Sequence, residues 1–496
     1  MLTMLGSPRK CCDGLTRRET LKAGALSVLG GLTLPDLLRA EETPGPKGKP
    51  GKAKNVIVLY LLGGAATQDM WDMKPDAPAE VRGEFKPVAT NVPGINICEL
   101  MPQMTKWMHK AAIVRSVNHK AGCHNTLPSY TALEEPLANN TSTKDSYPPS
   151  MGSVCEYLQD TGAMPPPLPR GSLAGQPINN ELPGYVYMPC YLGWGQNIVR
   201  PGPYGGFLGH RYDALTTECK PYGDESTPKA TPGTPRNVLG MPLLPQCTLP
   251  QEITLDRLSQ RRGLMEQMDS EMRRMESAFS VHQHSRLKEK AYGMLTSSKA
   301  RAAFDLSTED PKTLDRYGRT LFGHSTLIAR KLVESGVRFV NVTWDLFWDR
   351  VQVDYDAWDT HTKNFSILKT NKLPNFDQTV SALLEDLTNR GLLDETLIVV
   401  KSEMGRTPKI NGNAGRDHWT YCYSNVFFGG GVTGGTLYGS SDSQAGYVKD
   451  KPVSTSDICA TVYQALGIPS TTTVPDRSGR PVSILHGGRA IEEILS

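Results

Sequence analysis

Asn55-Val56-Ile57-Val58-Leu59-Tyr60-Leu61-Leu62 runs directly into Gly63-Gly64. Apart from Asn55 the run is apolar and rich in β-branched residues, without the polar alternation of a half-solvated strand. This is the pattern of a strand buried on both faces of a parallel sheet, closed by a tight turn at the glycines. It returns at Ala111–Val117, Val337–Val342 and Thr396–Lys401. Segments that read as helices precede the last two: Leu321 to Ser335 stops at Gly336, and Phe376 to Arg390 stops at Gly391, both glycines placed as C-caps. Strands alternating with helices predict an α/β fold, a mostly parallel central sheet flanked by helices.

Between the second and third runs the chain changes character. From Met164 to Pro250 it is rich in proline and glycine, as in Pro165-Pro166-Pro167 and Thr231-Pro232-Gly233-Thr234-Pro235. Such a segment predicts a loop-rich insertion that overhangs one face. Thr254 to Ser297 then places Leu255, Leu258, Met265, Met268, Met272, Met275 and Phe279 at the spacing of a long amphipathic helix. Its methionine stripe reads most simply as a core face. The expected organisation is one domain over 55–496 with an insertion at about 164–300.

The beginning of the chain reads differently again. Thr16-Arg17-Arg18-Glu19-Thr20-Leu21-Lys22, the weakly apolar Ala23–Leu34 and the small Ala40 form a twin-arginine export signal over 1–40. A flexible leader rich in proline, glycine and lysine follows over 41–54. At ~1.5 Å per residue the apolar stretch falls short of a ~30 Å hydrocarbon core, so no stable membrane span is expected after cleavage. The expected partner is the export machinery for folded proteins, and the destination is the periplasm or the exterior.

Composition narrows the function classes. The formal charge is only +3 over 496 residues, and no basic stripe alternates with aromatics, which removes nucleic acid as an expected partner. The 10 cysteines contain no CxxC pair, which removes zinc ribbons and thioredoxin-type chemistry.

In open parallel sheets, ligands collect beyond the carboxyl ends of the strands. The first run is followed by Thr67-Gln68-Asp69 and Asp72, the second by His119 and then Cys123-His124-Asn125-Thr126. After the third comes Trp358-Asp359-Thr360-His361, and after the fourth Ser402-Glu403-Met404-Gly405-Arg406 and Gly415-Arg416-Asp417-His418. Carboxylates mixed with imidazoles suit zinc, manganese or iron, whereas oxygen-only sites suit magnesium or calcium. Arg406 and Arg416 are placed either to grip a phosphate or sulfate oxygen or to pair with Glu403 or Asp417. His324, inside a helical segment, reads as a packing residue.

Together with the Arg-Arg signal, the stretches Thr67–Pro75, Leu327–Val340, Trp358–Phe365, Leu392–Trp419 and Phe427–Asp442 resemble the DUF1501 family of secreted proteins. That family is placed in the alkaline phosphatase and sulfatase superfamily. The resemblance implies an alkaline phosphatase-like fold and a divalent metal (zinc, manganese, iron or calcium). It implies metal ligands at Asp359, His361, Glu403, Asp417 and His418, with Asp69 standing in for a carboxylate nearer the first strand. Cys123 leads into His124-Asn125-Thr126-Leu127-Pro128, not the Cys-x-Pro-x-Arg that a formylglycine sulfatase requires. His124 falls near the nucleophile position and Thr126 is the nearest hydroxyl, so His124 acts as ligand or base and water as nucleophile.

Three readings follow. The first is a metal-dependent hydrolase of phosphate or sulfate esters with His124, Thr126, Arg406 and Arg416 in catalytic roles. The second is a non-catalytic protein that binds an anionic small molecule or sulfated polysaccharide. The third is a structural or partner-binding protein.

Overall fold

The computed structural model describes residues 51–135, 144–164, 182–222, 238–244, 297–345 and 358–496. The expected export signal over 1–40, the expected leader up to residue 50, most of the expected insertion and nearly all of the Met-striped segment lie outside the described residues.

Eight strands make the central sheet: β1 (Asn55–Leu61), β2 (Ala111–Val117), β3 (Tyr185–Met188), β4 (Leu215–Thr216), β5 (Phe339–Trp344), β6 (Thr396–Lys401), β7 (Tyr423–Phe428) and β8 (Thr436–Tyr438). Their order across the sheet is β8-β2-β7-β6-β1-β5-β3-β4. β1 lies between β6 and β5, pairing Val56 with Leu397 on one side and Phe339 on the other. β7 alone runs against its neighbours β6 and β2, so the other seven strands point one way. The fold is therefore α/β with a mostly parallel sheet. The four runs picked out by sequence are β1, β2, β5 and β6, with β5 starting two residues later than expected.

Helices α1 (Leu127–Thr131), α2 (Met151–Asp160), α3 (Leu321–Glu334), α4 (Leu373–Asn389) and α5 (Thr455–Ala465) cover the sheet. The alternation of side chains along a strand tells which face each covers. Tyr60 packs on Tyr130 of α1 with ring centroids 5.0 Å apart, and Gly152 of α2 lies so close to the Tyr185 ring that a Cβ would stand 2.6 Å from it. On the opposite face, Trp344 meets Phe322 of α3 at 4.6 Å and Trp358 at 5.4 Å, and Trp358 meets Phe376 of α4 at 6.0 Å. Val56 to Leu61 are all buried, as a strand covered on both sides must be. The expected C-cap glycines follow α3 and α4 within two residues, with φ of 101° at Gly336 and 68° at Gly391. His324 lies on α3, where its Nδ1 meets the Gly240 carbonyl at 2.7 Å.

Candidate metal centre at the strand ends

Because β1, β2, β5 and β6 are parallel, the residues that follow them emerge at one end of the sheet. Gly63 holds the junction. Its φ is 111°, and a Cβ there would lie 2.6 Å from the Asp359 nitrogen. Its N–H donates to Glu403 Oε1 at 2.8 Å, and its carbonyl accepts from Arg406 Nη2. The turn after β1 thus touches the groups delivered by β5 and β6. Only glycine allows that approach.

The short antiparallel ribbon of Gly405–Arg406 against His418–Trp419 brings His418 back over the strand ends. There His361 Nε2 and His418 Nε2 stand 2.9 Å apart, and Asp359 Oδ1 lies 3.1 Å from each. His124, at φ 53° just before α1, completes the group. Its Nε2 lies 3.2 Å from Asp359 Oδ2 and its Nδ1 3.2 Å from Glu403 Oε1. His124, Asp359 and His418 alone already offer three donor atoms within 4.8 Å of one another. Asp417 does not reach the centre. It accepts from His361 Nδ1 at 2.8 Å and from Asn411 Nδ2 at 3.1 Å.

Protonation follows from these contacts. Burial opposes charge on His124, but its hydrogen bonds to Asp359 and Glu403 outweigh it and raise its pKa. Burial would raise Asp359, yet His124, His418 and the Arg406 guanidinium hold it far below the usual carboxylate range. Glu403, also fully buried, is lowered against its desolvation by His124 and the Gly63 N–H. The hydrogen bond from His361 lowers Asp417, so the Asp417 carboxylate can only accept. His361 Nδ1 therefore carries the proton, and its Nε2 faces the cluster. Burial lowers His418 and outweighs its hydrogen bond to Asp359.

The donor set fits a metal ion. Ligand bonds from nitrogen and oxygen to zinc run to about 2.0–2.2 Å, so three donor atoms 2.9, 3.1 and 3.1 Å apart would reach one ion between them. A carboxylate behind a ligating histidine, as Asp417 stands behind His361, is the usual outer support. Asp359 is 4% exposed and His361 39%, so the group opens to solvent on the His361 side.

Three expected residues are placed elsewhere. Asp69 spends both carboxylate oxygens on a bidentate pair with Arg416 at 2.8 Å and on Asn364 Nδ2 at 2.9 Å, deep under the site. Arg416 pairs with Asp69 and not with Asp417; its remaining N–H groups reach the carbonyls of Val81, Thr407 and Pro408. Thr126 is fully buried with its hydroxyl on the Pro201 carbonyl. Arg406 does touch the group, through Asp359 rather than Glu403. Its guanidinium is buried and also occupied by the carbonyls of Gly63, Gly64 and Arg416. Neither arginine presents a guanidinium to an incoming anion.

One residue left open by sequence proves structural to the site. His119 Nδ1 accepts from the Ala121 N–H, so its Nε2–H donates to the Glu403 carbonyl at 2.7 Å and fixes the backbone there. Its burial lowers its pKa and keeps the ring neutral. A histidine two residues past a strand end was visible; its backbone partner, 284 positions away, was not.

A sulfatase from Pseudoalteromonas sp. is similar at 11% identity and a TM-score of 0.36, over 87% of this chain and 70% of that one. A lipoteichoic acid synthase from Listeria monocytogenes gives 10% and 0.33, over 86% and 75%. A phosphonate monoester hydrolase from Silicibacter pomeroyi gives 11% and 0.32, over 88% and 76%. Scores this low leave the fold to rest on strand order and register. No curated protein matches the chain. Residues 53–495 match the family model described as "Protein of unknown function (DUF1501)", and the chain belongs to that family.

Proposed function

We propose that this protein is a metal-dependent hydrolase of phosphate or sulfate esters. The observation that carries the reading is the triangle of His361 Nε2, His418 Nε2 and Asp359 Oδ1, with edges of 2.9–3.1 Å, open on one side to solvent. Nitrogen donors favour zinc, manganese or iron over calcium.

A bound ion would polarise the ester oxygen and acidify water. Asp359, His361 and His418 would hold it, and Asp417 would fix the His361 tautomer. His124, whose pKa Asp359 and Glu403 raise, is the candidate proton donor to a leaving oxygen. With the Thr126 hydroxyl engaged by Pro201, water is the nucleophile. Arg406 acts through Asp359 as a positioning residue. The alternative of a non-catalytic anion binder has less support, since both arginines are fully occupied within the protein.

Elemental analysis of the wild type beside a His361→Ala/His418→Ala variant tests the reading, with p-nitrophenyl phosphate and p-nitrophenyl sulfate as substrates. Bound transition metal and turnover, both lost in the folded variant, support it. A wild type that contains no metal and takes up no added zinc, manganese or iron overturns it. Export of the folded protein through the twin-arginine route belongs to the same proposal. Replacing Arg17 and Arg18 by lysine should retain the protein in the cytoplasm, and unchanged export would remove that part.

A further inference from the structure

Trp419 follows His418 in the same short strand, so its side chain takes the other face of the ribbon. On that face it gathers two tyrosines. Ring centroids lie 5.0 Å apart for Trp419–Tyr421, 5.4 Å for Trp419–Tyr447 and 5.8 Å for Tyr421–Tyr447. The group is held firmly. Trp419 Nε1 donates to the Gly446 carbonyl at 2.5 Å, and the Asp442 carboxylate accepts from the N–H groups of Gln444, Gly446 and Tyr447 at 2.8–3.1 Å.

Tyr421 is 48% exposed and Tyr447 56%, more than any other large hydrophobic residue among the described residues. Three rings packed together, two of them half-exposed, form a small preformed aromatic surface. The size of the patch limits what it recognises. An aromatic side chain presents about 150–250 Å², so two half-exposed tyrosines offer about 200 Å². A stable protein interface needs about 800 Å² from each partner. A sugar ring matches the smaller figure: its C–H face packs on the electron-rich face of an aromatic ring while its hydroxyls stay hydrated at the edge.

We propose that Trp419, Tyr421 and Tyr447 form a carbohydrate-binding platform. It takes a pyranose unit of a polysaccharide, and this does not rest on the hydrolase reading. The ribbon carries His418 on one face and Trp419 on the other, so the platform lies on the face turned away from His418.

Affinity electrophoresis in gels containing heparin, chondroitin sulfate, dextran sulfate or neutral dextran reads the platform directly. EDTA in the gel separates binding from turnover. At least one polysaccharide should retard the wild type, and Tyr421→Ala/Tyr447→Ala should weaken that retardation about tenfold. Both tyrosines are exposed, so thermal unfolding of the variant should match the wild type. No retardation of the wild type, or equal retardation of the variant, overturns the platform. So does a wild-type dimer that the variant loses in size-exclusion chromatography, which would make the patch a protein contact. Platform-dependent retardation without ester cleavage removes the hydrolase and leaves the platform. Cleavage of small esters without such retardation does the reverse.

Discussion

His361 and His418 face each other through their Nε2 atoms at 2.9 Å, and Asp359 Oδ1 caps the pair at 3.1 Å from both. Two imidazole nitrogens at this distance share either one proton or one cation. The carboxylate at the third corner favours the cation, because it supplies a third donor and offsets charge.

Asp417 supports this geometry from outside, through His361 Nδ1. Asp417→Asn should keep the fold and weaken metal binding about 10- to 100-fold. Titration against a chromophoric chelator measures it, and an unchanged affinity would show that His361 needs no such support.

Gly63 stands where the strands meet. In Gly63→Ala the new methyl would lie 2.6 Å from the Asp359 nitrogen and 2.9 Å from its Cβ, at a φ of 111°. Asp359 must shift, so metal affinity should fall at least as far as in Asp417→Asn, with a loss of stability of about 1–3 kcal/mol. A variant that binds metal as the wild type does would mean the turn yields freely.

The Asp69–Arg416 pair predicts the opposite combination. The two side chains are 1% and 0% exposed. Removing the carboxylate in Asp69→Ala leaves a buried charge, which should cost about 3–5 kcal/mol in urea unfolding. Metal bound per folded molecule should not change. Loss of metal with unchanged stability would return Asp69 to the ligand set.

Asp377 on α4 gives a pH dependence far from the cluster. Burial raises its carboxyl to about 6, although it accepts from the N–H groups of Gln103 and Met104 at 3.0 and 2.7 Å. In the unfolded chain the value is about 3.9. Between those values the native protein holds a proton that the unfolded chain has lost. The group's contribution to stability is therefore fullest below about pH 4, falls up to about pH 6 and is level above. The wild type's advantage over Asp377→Asn should be larger at pH 4.5 than at pH 7.5. The reverse ordering would mean that the two amide bonds outweigh burial.

How much of this was legible depended on the range of the interaction. β1, β2, β5 and β6 announce themselves because burial on both faces demands an apolar run, a local property. β3 and β4 are short, and the antiparallel β7 follows the ribbon closely enough to read as part of one loop. At the site, the types of residue were readable but their pairings were not. Asp69 and Asp359 look alike in sequence, each a carboxylate beyond a strand. Only folding brings Arg416, 347 positions away, to neutralise the first. For the same reason the sequence left the two arginines open between anion grip and ion pair, and the fold makes both internal braces.

The residues of the cluster come from positions 124, 359, 361 and 418 of a 496-residue chain. A nascent chain cannot complete the cluster until His418 has been added to the groups already made at positions 124, 359 and 361. Contacts so distant in sequence form slowly, and truncated or stalled products would carry isolated histidines and carboxylates with no common geometry. The site thus reports on packing itself: only a folded molecule can present three donors to one ion.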